Sequence, residues 1–221
     1  MKVMRAICSI LLISAVSSFF LDVARAAEDQ ADLNRQALAA ARSGNVKNFK
    51  ALIEQGASPN SRNRLGDSLL MTSIKSGQME IMTMLLDRGA DINLANVSQV
   101  TPLMAAAYFG RTEMALILTD KNADINAVDQ LSKTAMVYAA GTGQTKIVNL
   151  LLDKGIGPNA TYQNGLTALM WAGAYGHLAT LQSLLDRGAD PSLVDNRGKT
   201  VSQMAAENGH PDVVKFLQER K

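Results

Sequence analysis

The sequence predicts an all-α solenoid of about six helix-turn-helix units joined by hairpin loops. Two observations predict it. A turn block recurs every 33 residues: Gly56-Ala57-Ser58-Pro59-Asn60, Gly89-Ala90-Asp91-Ile92-Asn93, Asn122-Ala123-Asp124-Ile125-Asn126, Gly155-Ile156-Gly157-Pro158-Asn159 and Gly188-Ala189-Asp190-Pro191-Ser192. A second block keeps the same spacing: Ser68-Leu69-Leu70-Met71, Thr101-Pro102-Leu103-Met104, Thr134-Ala135-Met136-Val137, Thr167-Ala168-Leu169-Met170 and Thr200-Val201-Ser202-Gln203. Two unrelated blocks in one register mark units that bury their apolar faces only against their neighbours. Such a molecule offers a long scaffolded surface in place of an enclosed pocket, which points to binding.

The first element is of another kind. Lys2 and Arg5 precede an apolar run from Ala6 to Leu21, and Ala24-Arg25-Ala26 follows. A basic start, a short apolar middle and an A-x-A end describe a secretory signal peptide, cleaved after Ala26, with an uncleaved anchor as the competing reading. The expected division is residues 1–26 as signal peptide and 27–221 as one repeat domain, with units near 31–63, 64–96, 97–129, 130–162, 163–195 and 196–221. The protein is therefore expected in the periplasm or outside the cell. The signal carries three basic residues and one acidic residue, so the remainder holds nineteen of each and is neutral. That balance gives no footing for nucleic acid or an anionic membrane surface. The single cysteine, Cys8, leaves with the signal, which suits an oxidising compartment and excludes disulfides and thiolate metal sites.

Within a unit, Thr101 can cap a helix whose first turn holds Pro102, where the missing N–H costs nothing. Leu103, Ala106 and Ala107 fall on one face, and Gly110 stops the helix. A second helix follows with Met114, Ile117 and Leu118 spaced for burial, matched by Ile81, Met84, Leu85 and by Ile147, Leu150, Leu151. Glycine separates the helices at Gly44, Gly77, Gly110, Gly143, Gly176 and Gly209. Asp and Asn then close the turn by bonding nearby backbone N–H groups. At the ends, Asn34, Arg35, Arg42, Lys47 and Lys50 give the first unit a polar side, and Lys215, Gln218, Glu219, Arg220 and Lys221 do so for the last.

This arrangement resembles the ankyrin repeat. Thr101-Pro102-Leu103-Met104-Ala105-Ala106 is similar to its T-P-L-H-x-A signature and Gly188-Ala189-Asp190 to its G-A-D turn, and the likeness covers residues 31 to 221. It implies a binding module with a concave face, and no particular partner. The chain departs from the family pattern in several places. Met71, Met104, Val137 and Met170 replace the family histidine, so apolar packing is expected where the family has a polar link. The hairpin glycine of Gly66, Gly165 and Gly198 becomes Gln99 and Ser132. Tyr162 stands where the hairpin usually has Asp or Asn, and Gly155-Ile156-Gly157 lacks the turn-forming Asp.

No chemistry is expected. His177 and His210 each follow an inter-helix glycine and read as second-helix starts; neither has metal-ligand spacing or a nucleophile with an orienting carboxylate. Gly141-Thr142-Gly143 lacks the strand and the Lys-Ser/Thr of a phosphate loop. The remaining methionines read as core filler. Hence no enzyme, no cofactor and no metal are expected.

The aromatic residues carry the functional reading. Phe49 and Phe216 are expected in the core, whereas Tyr108, Phe109, Tyr138, Tyr162, Trp171 and Tyr175 cluster in the central units. Ala105, Tyr138 and Trp171 share one helix position, and Tyr108, Phe109 and Tyr175 lie three or four residues on, so they share a face opposite Leu103, Ala106 and Ala107. In the resembled family that face lines the concave side. The six are taken as partner-binding residues, against the alternative that the rings pack laterally between units. Gly141 and Thr142 would leave a notch, with Lys75, Ser76, Glu207 and Asn208 as a polar rim; the middle of the face is expected to carry almost no charge and to take a largely apolar or aromatic partner segment rather than an ionic one. The expected function is an exported monomer that binds a protein partner through this face. As alternatives it could inhibit an envelope enzyme in the manner of an immunity protein, or support a periplasmic enzyme as an accessory factor. A glycan or small ligand would need polar groups between the rings, which Gly141, Thr142 and Ala174 do not supply. The intact mass of protein purified from the envelope of a Gram-negative host should correspond to a chain beginning at Ala27. A mass retaining Met1 would contradict cleavage.

Overall fold

The computed structural model describes the backbone of residues 2–220 and the side chains of residues 23–220. Most of the expected signal peptide, and Lys221, lie outside the described side chains. Six helix pairs follow one another: α1 (Lys2–Ser43) with α2 (Val46–Glu54), α3 (Leu69–Lys75) with α4 (Met79–Asp87), α5 (Pro102–Tyr108) with α6 (Thr112–Asp120), α7 (Ala135–Gly141) with α8 (Thr145–Asp153), α9 (Ala168–Ala174) with α10 (Leu178–Asp186), and α11 (Val201–Glu207) with α12 (Pro211–Glu219). Among the described residues there is no strand, only isolated bridges joining Arg62 to Ser68 and Thr161 to Thr167. The fold is the helical solenoid the repeat predicts, and no described helix is long and apolar enough to cross a membrane.

The second sequence block starts the first helix of each pair. The hydroxyls of Ser68, Thr101, Thr134, Thr167 and Thr200 each accept a hydrogen bond from the backbone N–H three residues on. These helices are only seven residues long, too short to persist in water alone. They hold because they stack in an inner row, α1, α3, α5, α7, α9, α11, while the second helices form an outer row. Leu69 to Ile74 of α3 and Pro102 to Ala107 of α5 are buried all round, as a helix with neighbours on both sides must be. Ala106, Ala107, Ala139, Ala140, Ala172 and Gly173 are buried and let adjacent backbones approach closely. Met71, Met104, Val137 and Met170 all lie in the interior. In the outer row Ile81, Leu85, Met114, Leu118, Ile147 and Leu151 are buried, and Met84, Ile117 and Leu150 half-buried.

The turn between the two helices of a pair needs glycine twice over. Gly143 has φ +73°, and a Cβ there would stand 2.8 Å from His177 Nδ1, because the side chain of the next unit lies across it. Gln78, Arg111, Gln144 and His210 lie likewise across Gly44, Gly77, Gly110 and Gly176. His177 Nε2 sits 3.0 Å from the Gly141 carbonyl, so this histidine clips unit to unit. On the outer edge Lys154 pairs with Asp120 at 2.7 Å, Arg187 with Asp153 at 2.6 Å, and Arg220 with Asp186. Such exposed pairs contribute no more than about 1 kcal/mol each.

The loops are stitched across units by two recurring bonds. The backbone N–H of Asp91, Asp124 and Asp190 donates to the side chain of Asn60, Asn93 and Asn159 respectively, at 2.8–2.9 Å. At the hairpin tips Val97 N–H donates to Leu65 O, Gln130 N–H to Ser98 O, and Asn196 N–H to Asn164 O. Among the described residues, neither bond joins the α6–α7 loop to the α8–α9 loop. There the turn reads Gly155-Ile156-Gly157, and Tyr162 replaces the hairpin Asx. Asn63, Asn96, Asp129 and Asp195 each accept from backbone N–H groups two and four residues on. The Tyr162 hairpin instead forms a short 3-10 turn, Gln163–Gly165.

The hairpin residues Gln99 and Ser132 keep the left-handed conformation of the glycines they replace, with φ of 61° and 55°. That conformation costs a residue with a Cβ about 1 kcal/mol. Gln99→Gly and Ser132→Gly should therefore each raise the unfolding free energy by about 0.5–1 kcal/mol in urea titrations.

Candidate functional site

At the position that Thr72, Ala105, Tyr138, Trp171 and Met204 share, the inner row encloses Thr, Ala or Met but not a whole Tyr or Trp ring. Thr72, Ala105 and Met204 are buried there. Tyr138 and Trp171 exceed the space between helices and emerge half-buried. The expected division into a core face and an opposite open face is thus corrected: both sides of these helices are covered, and the rings wedge partly into the stack. One turn on, Tyr108, Phe109 and Tyr175 are exposed, at 50%, 43% and 54% of their surface. Phe49 is fully buried and Phe216 half-buried, under the Arg220 guanidinium.

Five of the six aromatic residues form one surface. The Tyr108 ring meets Phe109 edge-on at 5.0 Å and Tyr138 edge-on at 5.9 Å. Trp171 stacks on Tyr175 at 5.9 Å, and Tyr175 on His177 at 6.4 Å. Between the two groups lies the notch. A Cβ on Gly141 would lie 3.6 Å from the Trp171 ring and 3.9 Å from Tyr175. The resulting depression of about 270 Å³ is lined by Tyr108, Tyr138, Gly141, Thr142, Trp171 and Tyr175, together with Val137 and Lys133. A second of about 250 Å³ adjoins it past Tyr108 and Tyr138, reaching Phe109, Lys75 and Asn96. Tyr162 is not in this row. It sits with Leu131 and Asn164 in a third depression, about 250 Å³, behind Lys133 and Trp171. That is where the loop stitching is missing.

Polar groups fix the rings unequally. The Tyr138 hydroxyl donates to Asp129 Oδ2 at 2.5 Å, and the buried Asp129 also accepts from the Leu131 and Lys133 backbone N–H groups. Burial, and then that carboxylate, push the Tyr138 hydroxyl far above its ordinary pKa. Burial lifts Tyr162 to about 12, with the Thr134 hydroxyl acting the other way. The Tyr162 hydroxyl and the Trp171 indole N–H are buried with no hydrogen bond of good geometry among the described residues.

The polar rim is locked rather than free. Lys75 pairs with the buried Asp67 at 2.7 Å, and Glu207 with Lys199. Asp67 also accepts from Asn96 at 2.9 Å. The groove itself is not free of charge, contrary to the sequence expectation. The Lys133 ammonium stands 5.3 Å from the Trp171 ring centre and 5.8 Å from that of Tyr138. Composition could not reveal it; the register could, since Lys133 occupies the column of Asp67 and Lys199.

The arrangement is a cradle of rings around one cation, a surface that can hold a partner by contact. The family model for ankyrin repeats (3 copies) matches residues 37–129, 95–162 and 136–221. No curated protein matches the chain.

Burial opposes ionisation of Asp67, but the hydrogen bonds from Lys75 and Asn96 and the Lys75 charge outweigh it and hold its pKa below 3.8. Its stabilisation is thus complete above about pH 5 and is lost as pH falls through the depressed folded value. Asp67→Asn should cost about 1–2 kcal/mol at pH 7. Its unfolding free energy should then decline less between pH 5 and 3 than that of the parent, as read by denaturant titration at each pH.

Proposed function

The chain belongs to the ankyrin-repeat family, a protein–protein interaction module, and from that membership we propose that it binds a protein partner in the cell envelope through its central aromatic groove. The carrying observation is that Tyr108 and Tyr175 stand exposed around the Gly141 notch, with Phe109 exposed in the adjoining depression, while Tyr138 and Trp171 back them from within the stack. Rings anchored in this way are already ordered, so a partner gains contact area with little loss of side-chain freedom. Aromatic anchors around a recess are also the residues that most often dominate interface energetics.

Export is part of the reading. It rests on the basic, apolar and A-x-A order of residues 1–26 and on the absence of cysteine beyond Cys8. Residues 23–32 of α1 are exposed, and burial begins with Leu33 and Asn34. Cleavage after Ala26 would therefore remove no described core contact.

The test uses the exposed rings, whose loss leaves the stack intact. The purified exported protein, immobilised, should retain a protein from envelope extract that Tyr108→Ala/Phe109→Ala/Tyr175→Ala loses, with both baits equally folded by circular dichroism. Equal retention by both would contradict the groove as the binding face.

A further inference from the structure

The register that defines the fold also pairs two columns of side chains across it. The last hairpin residue of each unit faces the end of the first helix eight residues on. In the second unit Asp67 binds Lys75, and in the last Lys199 binds Glu207, with the charges exchanged. In between, Val100 stands with Tyr108, and Leu166 with Ala174. In the first unit Arg42 stands with Asn34, and in the fourth Lys133 faces Gly141, a charge with no side chain opposite it. Among the described residues no carboxylate lies within ion-pair distance of its ammonium, which rests between the Trp171 and Tyr138 rings instead. The nearby Asp129 is occupied by two backbone N–H groups and the Tyr138 hydroxyl.

We propose that the groove takes an extended segment of a partner protein carrying an Asp or Glu next to an aromatic or aliphatic residue, with the carboxylate bound by Lys133 over Gly141. The proposal rests on the reading of the groove as the binding face. The carboxylate then occupies, relative to Lys133, the place that Glu207 takes relative to Lys199. The apolar neighbour packs on Tyr108 and Tyr175. Ring faces attract the ammonium without neutralising it, and they exclude water around it, so an arriving carboxylate meets a stronger field than at an open surface. An extended chain is favoured because the Gln163 N–H and Leu131 C=O, at the positions that bond between loops elsewhere, have no such partner here. A strand-like segment has backbone groups to meet them.

Selection from a displayed library of random peptides on the purified protein tests this directly. Enriched sequences should hold Asp or Glu beside an aromatic or aliphatic residue. Lys133→Ala should weaken the best of them about tenfold, and a selection on Lys133→Glu should enrich Lys or Arg instead. Gly141→Glu, which supplies an internal carboxylate in the Glu207 position, should abolish binding, while the neutral Gly141→Gln should reduce it less. Peptides that lose binding to Tyr108→Ala/Tyr175→Ala yet bind both Lys133 variants unchanged would overturn the proposal and leave the aromatic groove standing. Peptides indifferent to all of these variants would overturn both, and enrichment of no sequence would overturn the extended peptide as occupant.

Discussion

Everything in this molecule depends on the inability of one unit to bury its own first helix. A helix of seven residues has no stable existence in water until neighbours cover its apolar flanks. The inner row therefore sets a spacing, and that spacing is fixed by small residues: Ala106, Ala107, Ala139, Ala140, Ala172 and Gly173 are all buried in it. A large ring placed in such a row must leave it. Tyr138 and Trp171 do so halfway, and the volume they cannot bury becomes the back wall of a groove. The groove is thus a consequence of overfilled positions in an otherwise regular stack.

The charges follow the same logic of repetition and exception. In the second and the last unit the hairpin and the first helix are tied by ion pairs of opposite sense. In the centre that tie is absent, and one cation remains between two rings. The loop stitching fails next to the same place, where Gly157 and Tyr162 replace the turn-forming residues. The regular units maintain the solenoid, and its irregular ones, all adjacent, have given up internal bonds that a partner could supply.

The fold was legible because each of its signals is local and recurs. The Ser/Thr caps, the inter-helix glycines and the Asn-containing turns stand at one spacing, and they take the roles that spacing implies except at Asn126, which makes no such bond to the next loop among the described residues. The site was legible in part. The exposure of Tyr108, Phe109 and Tyr175 can be found from helix geometry alone. The half-burial of Tyr138 and Trp171 could not, because helical periodicity assigns faces within one helix and says nothing of the neighbour that covers them. Tyr162 reads as one of a row of aromatics, yet its hairpin places it behind Lys133. Lys133 is hidden for the opposite reason: its environment is set by what Gly141 lacks, and a residue-by-residue reading weighs side chains that are present. Comparing the Asp67, Lys133 and Lys199 column with the Lys75, Gly141 and Glu207 column would have exposed it.

Trp171 is the only tryptophan of the chain and lines the groove, so it reports on this surface without further labelling of the protein. Incorporating 5-fluorotryptophan gives a single fluorine resonance in the backing wall of the proposed interface. Titration with the unlabelled partner should shift or broaden that resonance in proportion to complex formed, as the ring loses contact with water. A resonance that stays unchanged while the complex reaches saturation would place the interface elsewhere and contradict the central claim.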